Sequence, residues 1–296
     1  MGLTIKELLP IGEKTLKDAG VENYMIDAGT LYCFAAGTDK KELFLNQDSV
    51  VNETYKEEYF SLIDRRAAGE PLQYITGEQY FMGHRLAVDP SVLIPRPETE
   101  ILAEKAVDYL HSYRDAKAVL DLCTGSGAGS VLDLCTGSGA LAVSIAIACP
   151  DIQGTASDIS ADALAVAEQN AKDLGVSDRV VFIESDLFDA FGHVNKFDLI
   201  VTNPPYIRSG DFAGLAREIT EHEPVLALDG GADGLDFYRR IAADARACMN
   251  PGACLMTEIG FDQAEDVTAI LTDAGFTIIE VIRDYNGLDR VLITGI

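Results

Sequence analysis

Basic charge is what this sequence has least of. Its 296 residues hold 23 lysines and arginines against 48 aspartates and glutamates, a formal net charge of -25, and no basic cluster occurs anywhere. Holding a phosphate backbone depends on Lys and Arg, so an enzyme that grips nucleic acid directly is disfavoured, whereas a folded protein partner is easier to accommodate. Metal and disulfide chemistry lack their ligands too. The four histidines are scattered, and the six cysteines (Cys33, Cys123, Cys135, Cys149, Cys248 and Cys254) form no C-x-x-C pair, so they are expected to be reduced core residues with no metal site. No run approaches membrane-spanning length, and Lys6 and Glu7 interrupt the apolar N-terminus. Neither a signal peptide nor a membrane anchor is expected, and the expected location is the cytoplasm. Hydrophobic content of 48% and charged content of 24% are ordinary for a globular protein, and the length favours about two domains.

Residues 1 to 70 read as helices. Thr4-Ile5-Lys6-Glu7 is a capping-box pattern that Asp39 and Glu42 repeat more weakly; Tyr55, Tyr59, Leu62 and Ile63 share one helical face; and Gly20, Gly37 and Gly69 act as stops. Such a domain serves either as a structural cap or as a grip on a partner. From Gln73 to Ile94, alternating apolar residues around Met82-Gly83-His84 predict a β-hairpin, and a helix is expected to start near Pro97. The remainder alternates strand and helix, which predicts an α/β fold: a seven-stranded, mostly parallel sheet with helices on both faces. Strands are expected at 131–135, 154–158, 179–184, 197–202, 253–259, 276–283 and 290–294, and helices at 140–149, 160–174, 234–249 and 261–274. The last two strands are too close in sequence for a parallel crossover, so they should form an antiparallel hairpin with one strand reversed.

Two stretches carry chemistry. Val131 to Ala140 is a strand running through Thr136-Gly137-Ser138-Gly139 into a helix, where glycines let the backbone approach a ligand at the helix N-terminus. Asp158 follows about 20 residues later at the end of the next strand, the place for a carboxylate that accepts from ribose hydroxyls. Asp186 ends the third strand and could accept from an adenine amino group, or could be a surface acid. The second stretch, Asn203-Pro204-Pro205-Tyr206, ends the apolar run Phe197 to Thr202. Two prolines close the strand, hold Asn203 extended at its end, and leave the Asn203 side chain and the Pro204 carbonyl as paired acceptors suited to a planar NH2 group. A plain strand-ending turn would look the same.

Taken together, Asp133 to Gly139, Asp158, Asp186 and Asn203 to Tyr206 resemble the class I S-adenosylmethionine-dependent methyltransferases. With Leu93-Ile94-Pro95-Arg96-Pro97-Glu98-Thr99-Glu100 and Glu223-Pro224-Val225-Leu226-Ala227-Leu228, the chain is similar over essentially its whole length to the bacterial peptide chain release factor glutamine methyltransferase, or HemK, family. The resemblance implies methylation of the Gly-Gly-Gln glutamine of class 1 release factors at its side-chain nitrogen, with S-adenosylmethionine as cofactor. It implies that Thr136, Gly137, Ser138, Gly139, Ala140, Asp158, Asp186, Leu187 and Asn203 line the cofactor. Asn203, Pro204, Pro205 and Tyr206 would hold the glutamine, with Asn203, Pro204 and Tyr206 as the catalytic set. The family often has an aromatic residue where Leu187 stands, so looser adenine packing is expected. Residues 1–72 become a release-factor-binding domain, 73–95 a hairpin linker and 96–296 the methyltransferase domain, acting as a monomer without direct nucleic acid contact. Three alternatives stay open: an adenine N6 DNA methyltransferase, which shares the Asn-Pro-Pro-Tyr; a nicotinamide oxidoreductase, which shares the glycine loop; and a release-factor-binding protein with an impaired cofactor site.

The reason for the last alternative is a repeat. Val119 to Ala128 is identical to Val131 to Ala140, with Gly129-Ser130 between them. The second copy runs directly into a helix and has the right spacing to Asp158, so it is expected to be the working strand. Tyr113 to Ser130 is then expected to be extruded as a loop or an added strand.

Overall fold

The computed structural model describes residues 2–120, 129–192 and 196–296. In chain order the elements are α1 (Ile5–Asp18), α2 (Tyr24–Ala36), α3 (Lys40–Leu45), α4 (Glu53–Ala67) and α5 (Leu72–Thr76), then the hairpin β1 (Glu78–Phe81) and β2 (His84–Ala87). There follow α6 (Pro97–Leu120), β3 (Ser130–Leu134), α7 (Ala140–Ala148), β4 (Gln153–Asp158), α8 (Ala161–Asp173), β5 (Val180–Glu184) and β6 (Phe197–Thr202). The chain closes with α9 (Arg217–His222), α10 (Asp236–Asp244), β7 (Met249–Glu258), α11 (Ala264–Asp273), β8 (Thr277–Arg283) and β9 (Asp289–Gly295). No helix among the described residues is long and apolar enough to cross a membrane.

Two compact units result, Met1–Glu78 with Ala216–His222, and Gln79–Leu215 with Glu223–Ile296. In the first unit the Glu7 carboxylate accepts from the Thr4 N–H and hydroxyl, both at 2.9 Å, which fixes the start of α1. Leu8, Leu16, Leu31, Tyr59 and Ile63 form its fully buried core. Segment 216–222 joins this unit through Glu218, which pairs with Arg66 at 2.8 Å. Tyr74, expected in a strand, lies in α5 instead; the alternation it belonged to was too short to outweigh one helical turn.

In the second unit the sheet order is β5-β4-β3-β6-β7-β9-β8, parallel from β5 to β7, with β9 antiparallel to both of its neighbours. The expected single reversed strand is therefore β9. Central β6 is buried at every position, with Leu199 and Val201 facing α6 and α7 while Ile200 faces the layer of α10 and α11. β7 starts at Met249, four residues before the expected strand, and α10 is shorter than expected because a 3-10 turn takes over at Ala245–Cys248. Parallel strands put their C-terminal ends on one edge, and there the chain delivers Cys135, Asp158, Asp186, Asn203 and Glu258 together.

The second copy of the repeat is the strand in use: Val131 pairs with Gly154 on one side and Leu199 on the other. Residues 113–120 continue α6 rather than forming a loop or added strand, because the helical run from Pro97 is not broken there. Residues 121–128, the rest of the first copy, lie outside the described residues. Apart from Ser130, which pairs with Gln153 at the start of the strand, every residue of β3 belongs to the second copy, so deleting Val119 to Ser130 is expected to leave the sheet intact, with a thermal midpoint equal to or above that of the parent chain. A deletion variant with no cooperative transition by circular dichroism would show that the first copy is needed.

Candidate active site

The loop after β3 is shaped by three residues in the left-handed region, Cys135 (φ 59°), Gly137 (φ 54°) and Gly139 (φ 79°). At Gly139 a Cβ would stand 3.0 Å from the Ala167 Cβ and 3.2 Å from its Cα, so α7 and α8 approach as closely as they do only with glycine there. Asp133, fully buried, accepts from the Thr136 hydroxyl at 2.6 Å and from the Ala142 N–H at 3.0 Å, tying the loop to the first turn of α7. Burial pushes the Asp133 carboxyl up to about 7; those two donors pull it down, and the Asp158 charge pushes it further up. Asp158 accepts from the Gly137 N–H at 2.9 Å and from the Ser160 N–H at 3.0 Å. Its carboxyl also lies above the usual range because of burial, with the N–H groups of Ser160, Gly137 and Ile159 opposing the shift. Asn170 of α8 gives its amide to the Ser138 carbonyl (2.8 Å) and the Ala87 carbonyl (3.0 Å), and accepts from the Ala87 N–H (2.6 Å). It thereby clamps the glycine loop to the hairpin.

At the end of β6, the Asn203 amide nitrogen donates to the Thr99 hydroxyl at 3.2 Å, and that hydroxyl donates to Glu258 Oε2 at 2.6 Å. The Tyr206 hydroxyl lies 3.5 Å from Glu258 Oε1, and its backbone carbonyl accepts from Gln263 at 3.0 Å. Burial and then the Glu258 charge hold the Tyr206 phenol protonated. After the two prolines, Ile207 forms a bridge with Asp229, and a Cβ on Gly230 would come within 2.7 Å of the Tyr206 Cα. The segment carrying Glu223-Pro224 is thus packed onto the Asn-Pro-Pro-Tyr turn. Arg96 completes the frame by pairing with buried Glu223 at 2.5 Å.

One open cavity joins the two halves, lined on one side by the glycine loop, Asp158 and Leu187 and on the other by Thr99, Asn203 and Pro205. Of the residues singled out from the sequence, Thr136, Gly137, Ser138, Ala140, Asp158, Asp186, Leu187, Asn203 and Pro205 line it. Gly139, Pro204 and Tyr206 are not among its lining residues: Gly139 sits against α8, Pro204 is buried, and Tyr206 turns towards Glu258. The Asp186 carboxylate pairs with Arg240 at 2.8 Å, and Leu187 adopts a left-handed φ of 49°. Sequence reading missed Phe237, which brings an aromatic ring to the cavity from α10 with the Arg240 guanidinium 5.9 Å from its centroid. It also missed Thr99 and Asn170, both buried polar residues whose partners are far away in the chain.

Two family models match the chain, one described as the PrmC N-terminal domain over residues 7–77 and one as the methyltransferase small domain over residues 107–231. A release factor glutamine methyltransferase from Geobacter sulfurreducens is 41% identical over 289 residues, covering 98% of this chain and 95% of that protein. Its counterpart from Clostridium acetobutylicum is 37% identical over 292 residues, 98% of each chain. Among solved structures, a methyltransferase from Pyrococcus furiosus, 15% identical, is similar in fold with a TM-score of 0.50 over 72% of this chain and 89% of its own.

Proposed function

This chain belongs to the release factor glutamine methyltransferase family, and we propose that it moves a methyl group from S-adenosylmethionine to the side-chain nitrogen of the Gly-Gly-Gln glutamine in class 1 release factors. The observation that carries the reading is that Asn203, at the end of β6, opens into the same cavity as the glycine loop and Asp158.

The cavity's chemistry fits the cofactor. Open space stands where a Gly137 Cβ would be, Asp158 offers a carboxylate for ribose hydroxyls, and Leu141, Ile159, Leu187 and Phe237 supply apolar walls. S-adenosylmethionine, when bound, supplies an electrophilic methyl group on a sulfonium. The chain's own residues then have a positioning task. A glutamine amide nitrogen is a poor nucleophile because its lone pair is shared with the carbonyl, so we assign Asn203 Oδ1, on the cavity wall, to accept one of its N–H bonds, and the carbonyl of Pro204, a buried residue next in the chain, to accept the other once the glutamine is seated. Both acceptors also stabilise positive charge as it develops on that nitrogen; after the carbon–sulfur bond breaks and the carbon–nitrogen bond forms, the now acidic N–H gives its proton to water, with no strong base required. Tyr206 packs behind the turn and stiffens it. The helical unit is assigned to hold the protein substrate, a role supported by its exposed Met25, Ile26, Phe44, Leu45 and Val50.

The test is incubation with labelled S-adenosylmethionine and either a class 1 release factor or DNA. One added methyl on the Gly-Gly-Gln glutamine by peptide mapping is expected, and a release factor that gains none there would overturn the reading. Asp158→Ala is expected to weaken cofactor affinity by about tenfold or more, the scale of one charge-assisted contact. Calorimetry giving equal affinity would move the ribose contact elsewhere.

A further inference from the structure

The proposed reaction needs the oxygen of Asn203, not its nitrogen, turned towards the substrate. An asparagine amide has nearly the same shape either way round, so something must choose. The chain Asn203–Thr99–Glu258 contains the means to do so. A hydroxyl has one hydrogen; when Glu258 is ionised it can only accept, so Thr99 spends that hydrogen on Glu258 Oε2 at 2.6 Å. The Thr99 oxygen is then left as an acceptor, and the group it meets at 3.2 Å is Asn203 Nδ2. With Nδ2 committed, Oδ1 is the end of the amide left for the substrate.

Resting on the reading above, we propose that Thr99 and Glu258 are positioning residues that set the orientation of the Asn203 amide, so that activity depends on Glu258 being ionised.

The surroundings make this arrangement one that switches. Thr99 is 5% exposed and Glu258 1%, so water does not compete for these bonds. Facing the Glu258 carboxyl are Thr99 and Glu98 from α6, Tyr206 after β6 and Arg290 from β9, while the Tyr238 hydroxyl of α10 donates to the Glu258 backbone carbonyl at 3.0 Å. Arg290 is shared with Asp284 at 3.2 Å. Burial pushes the Glu258 carboxyl up to about 7; Thr99, Arg290 and Tyr206 pull it down, and Glu98 pushes it up. Once protonated, Glu258 becomes a donor, the Thr99 hydrogen is released towards Asn203, and the favoured amide orientation reverses. The sign follows: the productive state is present above the Glu258 pKa and is lost as pH falls through it.

The experiment compares the full-length protein with Thr99→Val, Thr99→Ser and Glu258→Gln. In the parent and in Thr99→Ser, kcat on a release factor is expected to fall about tenfold per pH unit below about 7, as for one essential ionised group. Thr99→Val, which keeps the shape and loses the hydroxyl, is expected to have a plateau lower by about tenfold or more and no acid limb. Glu258→Gln is also expected to lose the limb. A parallel readout needs no activity: with asparagine labelled by nitrogen-15, the Asn203 side-chain resonances should titrate near pH 7 in the parent and in Thr99→Ser, and stay flat in Thr99→Val and Glu258→Gln. Parent-like kcat and acid limb in Thr99→Val, or an Asn203 signal that does not titrate in the parent, would overturn the relay. A titrating Asn203 signal in a protein that leaves the release factor unmethylated would instead overturn the assigned substrate and leave the relay standing.

Discussion

Asn203→Ala is expected to slow methyl transfer by roughly 100-fold or more, the size of effect when one preorganised polar contact to a developing charge is removed. The side chain stands at the end of a strand buried at every position, is followed by two prolines, and is held through Thr99 to Glu258, so its position is set before substrate arrives. That preorganisation is what a flexible acceptor or a water molecule could not supply, and its loss should appear in kcat under single-turnover conditions. Cofactor affinity is expected to change far less, because the loop N–H groups and Asp158 remain in place. A variant that turns over at the parental rate would remove Asn203 from the mechanism, whatever its effect on affinity.

What was legible in the sequence follows from how local its causes are. β6 was bounded correctly at 197–202 because a six-residue apolar run ends at prolines, and both signals are adjacent in the chain. The glycine loop, its helix and the choice between the two copies were legible for the same reason: a loop must run straight into the helix whose N-terminus it uses, and only Val131 to Ala140 does so. The hairpin turn at Met82-Gly83 was readable, and both residues have positive φ, the backbone that a tight two-residue turn demands. The residues that brace the site were not legible, because their partners lie elsewhere. Thr99 meets Asn203 across 104 positions and Glu258 across 159, and Arg96 meets Glu223 across 127. Three of these residues, Arg96, Thr99 and Glu223, sit inside stretches noticed for their resemblance, yet nothing local shows that Pro95-Arg96-Pro97-Glu98-Thr99 and Glu223-Pro224 converge on one turn. Phe237 escaped for a different reason: an aromatic residue on an amphipathic helix is most often core, and only the cavity distinguishes it.

The largest stability effect is expected in the helical unit. Arg66 is buried there with its side chain 7% exposed, giving Nε to Asp27 at 2.8 Å, Nη1 to the Glu70 carbonyl at 3.1 Å and Nη2 to Glu218 at 2.8 Å. Asp27 is equally buried, at 6%. Arg66→Met keeps most of the volume but strands the Asp27 carboxylate in an apolar interior, and breaking such a pair from one side costs about 3–5 kcal/mol. It also frees Glu218, whose bond to Arg66 anchors 216–222, the segment between the Asn-Pro-Pro-Tyr turn and Glu223. A second change should separate the charge from the packing: Arg66→Met with Asp27→Leu removes both ions, and replacing a whole buried pair by apolar groups is often close to neutral. The double variant is therefore expected to recover most of the urea midpoint that the single variant loses. In the single variant, activity on an intact release factor should fall along with the helical unit's stability, while calorimetric affinity for S-adenosylmethionine stays near the parental value, because no cofactor-lining residue lies in that unit. If the single variant unfolds at the parental midpoint, the pair contributes nothing net. If it is destabilised but methylates the release factor at the full rate, the helical unit is a cap and not the grip on the substrate.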